Sequence, residues 1–389
     1  MALGRLIGVV VLAAIAQFVY ERAGVLSLFY KNVPARLPRI NTFGSHEILF
    51  EDKMRSCEDA LLIEEHHLAI IACDAGRERW NAVMGVFVPG DVVSADIWAY
   101  DYTKPSAEAL TRIKVENFAS AQDFHSLGLA YDQETSTLFV ASHAKAGPRI
   151  ELFKLDIQSL TATHIRTVQH PLLHAPNAIA LINSKEFYVS NAHAFPATRN
   201  KILNLLETYL SPPTGTVVHV SLEDSEPQAQ VVAKVPFANG IHILNSTTIA
   251  VSATSRASVW FFNTETKTSW KQTSTLRLPF LPDNLSESDG KLLITGHPFV
   301  PLVTKFAHTS HICNDPKELE RADQSMKDYC ATRVATSQVS EWSEAEGLKH
   351  LYIGTEYPTS CTAVRDAKRG VGIVTGLYAN GILVWKDSK

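Results

Sequence analysis

Several of the commonest catalytic signatures are missing from this sequence. It has no Gly-x-Ser-x-Gly elbow, no Gly-x-Gly-x-x-Gly turn and no Walker loop, which removes sequence support for an elbow-type serine hydrolase, a dinucleotide enzyme and a P-loop NTPase. Positive charge is not in excess. Lys and Arg number 36 against 40 Asp and Glu, a formal net charge of −4 with the signs interspersed, so no basic face is present for nucleic acid. Cysteine is scarce, and five residues leave at least one without an intrachain partner. Long apolar runs are scarce too. The nearly unbroken run Leu6 to Tyr20 falls short of the ~20 residues that cross a bilayer comfortably.

What remains is a chain that is 46% hydrophobic and 20% charged, with 19 Gly and 18 Pro, the composition of a globular protein with a large core. The apolar run lies behind Arg5 and reads as a secretory leader, with Ala14-Ile15-Ala16 as a signal-peptidase site. Ala23 to Tyr30 extends the apolar contact past Glu21 and Arg22, and a buried first helix is the structural alternative. Residues 1–40 are therefore expected to form a leader or signal anchor with its linker, and 41–389 a single catalytic domain, secreted or membrane-anchored. In that compartment Cys313 and Cys330, which bracket a polar loop, are expected to pair. Cys57, Cys73 and Cys361 cannot be assigned. Asn245 and Asn284 head glycosylation sequons, Asn284 one that is not expected to be exposed.

Short β-rich runs separated by Asp, Asn, Gly and Ser turns fill the rest of the chain, with one convincing helix after the leader. Segments opening at His125, Asn177, Asn239 and Asn284 share an order: polar residue, apolar strand, turn, second apolar strand. The segment from Glu58 has the same shape, and Asp96, Arg149, Thr216 and Ser258 open candidate outer strands. The recurrences lie 45 to 67 residues apart, a little wider than the usual propeller blade of about 40 to 50 residues. An all-β propeller is expected. If each segment begins at an innermost strand, Glu58, Asn177, Asn239, Asp283 and Asn284 converge beside a central channel. Side-chain oxygens in that number, amides mixed with two carboxylates, suit Ca²⁺ rather than Zn²⁺. Singly, Asn and Asp at strand starts are ordinary turn residues.

These residues resemble motifs of the paraoxonase/arylesterase family: Ser56-Cys-Glu58-Asp59, Asp123-Phe-His125-Ser-Leu-Gly, Leu138 to His143, Pro176-Asn177-Ala178, Phe237-Ala-Asn239-Gly240 and Pro282-Asp283-Asn284, with Gly296-His297-Pro298 closing the last. The resemblance runs from residue 56 to about 298. It implies a six-bladed β-propeller with a hydrophobic leader helix and a short inserted helix near the active-site mouth. It implies that Glu58, Asn177, Asn239, Asp283 and Asn284 hold a catalytic calcium, and that His125 deprotonates water with His143 in support. Asp59 and the Leu127 carbonyl match ligands of a second, structural calcium, but Ala178 stands where the family has a further Asp ligand. The family's long-range disulfide finds no matching cysteines. His297 matches a pocket histidine, and Phe195, just before the inserted helix, is placed in the substrate pocket.

The expected activity is calcium-dependent hydrolysis of a small lipophilic ester or lactone. A cation polarises the carbonyl, and an imidazole with an ordinary pKa of about 6.5 takes the proton from water. In the helix Lys201 to Leu210, Ile202, Leu205, Leu206 and Tyr209 form one apolar stripe, expected to pack on the propeller; the resemblance adds a lipid or membrane surface as partner. His66 and His67 are read as surface residues, because neighbours on a strand point to opposite faces. The rival readings are a non-hydrolytic propeller like strictosidine synthase and a binding propeller. Two carboxylates buried together without a cation are costly, and Glu58 with Asp283 speaks against both.

Overall fold

The computed structural model describes residues 2–388. Beyond residue 40, the turn-bounded apolar runs form strands that pair antiparallel with their sequence neighbours into six sheets of four or five strands, beside a two-stranded ribbon. Each sheet has one edge strand on the inside: Cys57–Ile63, Ser126–Asp132, Pro176–Leu181, Ala238–Asn245, Leu281–Ser288 and Ser360–Asp366. Each inner strand packs against the next, and the last packs against the first, so the sheets close into a propeller-like ring. The expected outer strands opening at Asp96, Arg149, Thr216 and Ser258 are each third from the centre. The last sheet is completed by Ser45–Leu49, which pairs with Ile382–Lys386.

Apolar side chains fill the gaps between neighbouring sheets rather than one central core. Ile70, Ile97, Leu138 and Phe153 join the first sheet to the second, and Ile71, Tyr100, Ile373 and Val384 join the last to the first. At the centre, every inner strand breaks register with its partner at the same level. The irregularities span Cys57/Asp59, Ser126/Leu129, Pro176/Ile179, Ala238/Ile241, Pro282/Leu285 and Ser360/Thr362. A bulge releases its residues from the ladder and turns them towards the axis. Glycine permits the strands to meet there. A Cβ on Gly240 would lie 2.7 Å from the Asn284 Cα, and one on Gly128 would lie 2.3 Å from the Asn177 carbonyl oxygen.

The disulfide Cys313–Cys330 forms, and a second joins Cys57 to Cys73, leaving Cys361 as a buried free thiol. The stretch expected to be a polar loop is helical. Val300–Cys313 buries Val303, Phe306 and Ala307, and the helices Pro316–Arg321 and Gln324–Thr332 follow. The expectation of a single helix after the leader thus fails where helices are inserted between strands of the fifth sheet. His66 ends the one-turn helix Glu64–His66 and is exposed, and His67, just past it, is half-buried, so the pair lies on a turn and not on a strand as expected.

The helix Ala2–Lys31 is not separate from the domain. Glu21 pairs with Arg256, Arg22 Nη1 donates to the Ser255 carbonyl at 2.7 Å, and Asn32, just past the helix end, donates to the Pro279 and Pro298 carbonyls at 2.7 and 3.0 Å. Among the described residues no helix is long and apolar enough to cross a membrane.

The inserted helix Lys201–Leu210 reverses the expected packing. It buries its polar residues, because Glu207 accepts hydrogen bonds from the backbone of Ala194 and Phe195 and from Thr214, and Asn204 donates to the Phe195 carbonyl. Ile202, Leu205, Leu206 and Tyr209 are left exposed.

Candidate active site

The five predicted ring residues lie at the bulges and are all buried: Glu58, Asn177, Asn239, Asp283 and Asn284. Their amide nitrogens are turned sideways. Asn239 Nδ2 donates to Asp283 Oδ1 at 2.6 Å, and Asn284 Nδ2 donates to Glu58 Oε1 at 3.0 Å and to Thr362 Oγ1 at 2.9 Å. These bonds fix the amides of Asn239 and Asn284; Asn239 Oδ1, Asn284 Oδ1, Glu58 Oε2 and also Asn177 Oδ1 are buried without a partner. Four orphaned oxygens, each costly to bury, are what a hard oxygen-seeking cation would satisfy. Held by chain atoms alone, the Glu58 carboxyl is pushed well above its usual range, first by burial and then by the charges of Asp59 and Asp283.

Amides and two carboxylates make this donor set, whereas among the described residues no group of three or more His, Cys, Asp or Glu is arranged to hold a metal. The ring therefore fits Ca²⁺ and not a His- or Cys-seeking metal. The sixth bulge carries Cys361, whose thiol donates to the Glu58 carbonyl at 2.9 Å.

The second calcium does not fit. Asp59 Oδ2 accepts from the Leu129 backbone at 2.7 Å, and Oδ1 accepts from Ala60 at 2.9 Å and Thr362 at 3.0 Å, so its oxygens are already satisfied. With Ala178 opposite and only the Leu127 carbonyl to add, Asp59 is a strand-bridging carboxylate. Burial raises it to about 7.

A cavity of about 190 Å³ opens on the ring. Its floor holds Glu58, Asn177, Asn239, Asp283 and Arg77, and its walls include Leu127, Phe237, Leu281 and His297. Three helices roof it, with Val25 and Phe29 from the first, Leu205 and Tyr209 from the second, and Val300 and Val303 from the third. Larger grooves elsewhere, the widest beside Asp96 and Phe118, hold none of the ring residues that face this cavity.

His125 and His143 are neighbours, the His143 backbone N–H donating to the His125 carbonyl at 2.8 Å, but among the described residues no hydrogen bond joins the two rings. His125 Nδ1 faces the buried Asp74 carboxylate at 3.2 Å, and its Nε2, 3.7 Å from Asp123, is buried without a hydrogen-bond partner. His143 Nε2 bonds the Pro176 carbonyl at 2.7 Å and borders a different cavity. Burial pushes His143 down to about 4. Neither ring lines the cavity over the ring. His297 does. Its Nε2 meets Asp283 Oδ2 at 2.9 Å, and its Nδ1 is buried without a partner. Phe195 is 45% exposed and outside the cavity, held away by its backbone bond to Glu207. Asn284 is buried, so it is no glycosylation acceptor, whereas Asn245 is exposed. Sequence reading missed Asp74 and Arg77.

Residues 88–340 match the sequence profile described as Arylesterase. The chain is 30% identical over 215 residues to serum paraoxonase/arylesterase 2 of Homo sapiens, covering 54% of this chain and 58% of that protein. It is 27% identical over 217 residues to serum paraoxonase/lactonase 3 of Oryctolagus cuniculus, with the same shares covered. The matched region thus spans little more than half the length of these relatives. In fold, a gluconolactonase from Xanthomonas campestris superposes with a TM-score of 0.51 at 12% identity, over 90% of this chain and 94% of that one.

Proposed function

The chain belongs to the Arylesterase family, and from that premise we propose that it is a calcium-dependent hydrolase of ester or lactone bonds working at the centre of a six-bladed β-propeller. The observation that carries this reading is the set of four buried, unpartnered side-chain oxygens on Glu58, Asn177, Asn239 and Asn284, the first three of these residues lining an apolar cavity large enough for a small acyl group. Glu58, Asn177, Asn239, Asp283 and Asn284 would hold the ion. When bound, calcium supplies the positive charge that polarises the scissile carbonyl and stabilises the oxyanion.

The chain's own groups do the rest. His297, rather than His125, is placed to move the proton. Its Nε2–H points at Asp283 Oδ2, which fixes the tautomer and leaves the Nδ1 lone pair to accept a proton from an attacking water. Asp74 holds His125 Nδ1 in a buried pair that does not line the cavity. The helical roof excludes bulk water and accepts a lipophilic body. Leu12, Ile15, Phe18 and Val19 on the first helix and Ile202 to Leu210 on the second leave apolar surface outside the mouth, which suits contact with a lipid surface. The two disulfides fit a secretory route.

The test is hydrolysis of phenyl acetate, γ- and δ-lactones and a phosphotriester, with and without EGTA, alongside calcium content. Activity lost to EGTA, restored by Ca²⁺ and abolished in Asn239→Ala is expected. Protein that binds no calcium sinks the reading, and bound calcium without turnover of any ester leaves a non-hydrolytic enzyme.

A further inference from the structure

Three arginines are buried among the described residues: Arg22, Arg77 and Arg149. Arg149 has the company a buried cation needs, with Asp123 at 3.4 Å and Glu151 at 3.6 Å. Arg22 and Arg77 form no ion pair among the described residues, each keeps a buried Nε without a hydrogen-bond partner, and both line the cavity over the ring. They enter it from opposite sides. Arg77 sits on the one-turn helix Ala75–Glu78, with Nη2 on the Ser126 carbonyl, and Arg22 comes from the roofing N-terminal helix, with Nη1 on the Ser255 carbonyl. Each is thus anchored through one terminal nitrogen while its Nε edge stays free.

The charges around the cavity do not balance with a cation in place. Glu58 and Asp283 are its lining carboxylates, and a divalent ion held between them takes up both negative charges. The two guanidinium charges are then left over in an apolar enclosure walled by Val25, Phe237 and Leu281. Buried charge of that kind is retained where a ligand supplies the counter-ion, and a guanidinium matches a carboxylate in shape as well as sign.

We propose that the cavity takes an ester or lactone that itself carries a carboxylate, received by Arg77 from the floor and by Arg22 from the roof, with the apolar walls around its carbon chain. The inference rests on the hydrolase reading and names its substrate class. It also makes the N-terminal helix part of the binding site rather than an appendage.

The experiment uses the calcium-supplemented full chain and two matched esters, 4-acetoxybenzoate and its methyl ester, each rate divided by the ester's alkaline hydrolysis. The expected kcat/KM ratio favours the carboxylate by about 10-fold or more, the worth of one charge-assisted hydrogen bond. Arg77→Gln brings the ratio to within about threefold of one, and Arg22→Gln, on a helix whose folding does not depend on that contact alone, lowers it by a smaller factor. Calorimetric titration of 4-hydroxybenzoate gives a readout free of turnover. Arg77-dependent binding of that probe with no hydrolysis of either ester upholds the anion site while removing the hydrolase reading. A wild-type preference for the methyl ester, or no binding of the probe, overturns the inference. So does a ratio unchanged in both variants while Arg77→Gln alters calcium affinity alone, since Arg77 would then be the ring's own counter-ion.

Discussion

Glu58 and Asp59 are adjacent, both buried, and both acidic, yet the two cavities they face differ in kind. On the side of Glu58 the chain leaves oxygens of Glu58, Asn177 and Asn239 without partners, whereas both carboxylate oxygens of Asp59 are met by a backbone N–H or a hydroxyl. A family motif transfers both residues as ligands. The hydrogen bonds separate them. What marks a place for an ion is the oxygen that the fold has gone out of its way to orient and then left unmet.

The sharpest way to break this contrast is to neutralise each carboxylate in turn. Glu58→Gln should lower calcium affinity by about 100-fold, read by calorimetric titration. Asp59→Asn should leave affinity within about threefold and instead cost about 1 to 3 kcal/mol of stability, because its amide opposes the Leu129 N–H. Equal loss of calcium in both variants would put a metal on the Asp59 side as well. The histidines make a second comparison, by position rather than by hydrogen bonding, since each keeps one buried ring nitrogen without a partner. His297, which lines the cavity, should lose about 100-fold or more in kcat on change to Gln, with calcium affinity little altered, whereas His125→Gln, outside it, should lose less than about 10-fold. A reversed order in steady-state kinetics would return the proton to His125.

His143 tests the satisfied side by titration. Its pKa of about 4 in the folded chain lies below the ordinary 6.5, so the unfolded chain takes up the proton first as pH falls. Its stabilising contribution is present above pH ~6.5, is lost between there and about 4, and amounts to about 3 kcal/mol over that range. Denaturant melts from pH 7 to 4 should show the slope, and His143→Gln should flatten its share. His193, also lowered to about 4 by burial, adds to the same window. The smallest effect on stability is expected at the exposed stripe of the inserted helix. Ile202→Asp with Leu206→Asp should change stability by no more than about 0.5 kcal/mol while abolishing binding to phosphatidylcholine vesicles in a flotation assay. Retained flotation would transfer that contact to the first helix.

Much of this was legible in the chain because one repeat serves both fold and chemistry. The phase of polar residue, strand, turn and strand located five inner strands and placed Glu58, Asn177, Asn239, Asp283 and Asn284 at one level. The sixth strand, Ser360–Asp366, escaped because its bulge carries Cys361 in place of an amide or acid, and because three helices separate it from the earlier repeats. Asp74 could have been found. It directly follows the first sheet's second strand, as His143 follows that of the second sheet, and the same phase therefore marks it. The helix Lys201–Leu210 was misread for a physical reason: a stripe of apolar spacing says which residues share a face, not which way that face turns, and Glu207 decides the matter with three donors from the neighbouring loops. Nothing in sequence spacing could have reported that Arg77 lacks an ion-pair partner among the described residues.

The pairing of Ser45–Leu49 with Ile382–Lys386 has a further consequence, for the order of events during folding. This early strand has no sheet to join until one made more than 300 residues later has emerged from the ribosome, so ring closure is a late step with a very long loop to close. Glu58 and Asp283 stand on the first and fifth inner strands, which ring closure holds around one centre. Calcium would thus act on the final stage of folding, drawing the first and fifth strands together as the two ends of the chain zip up.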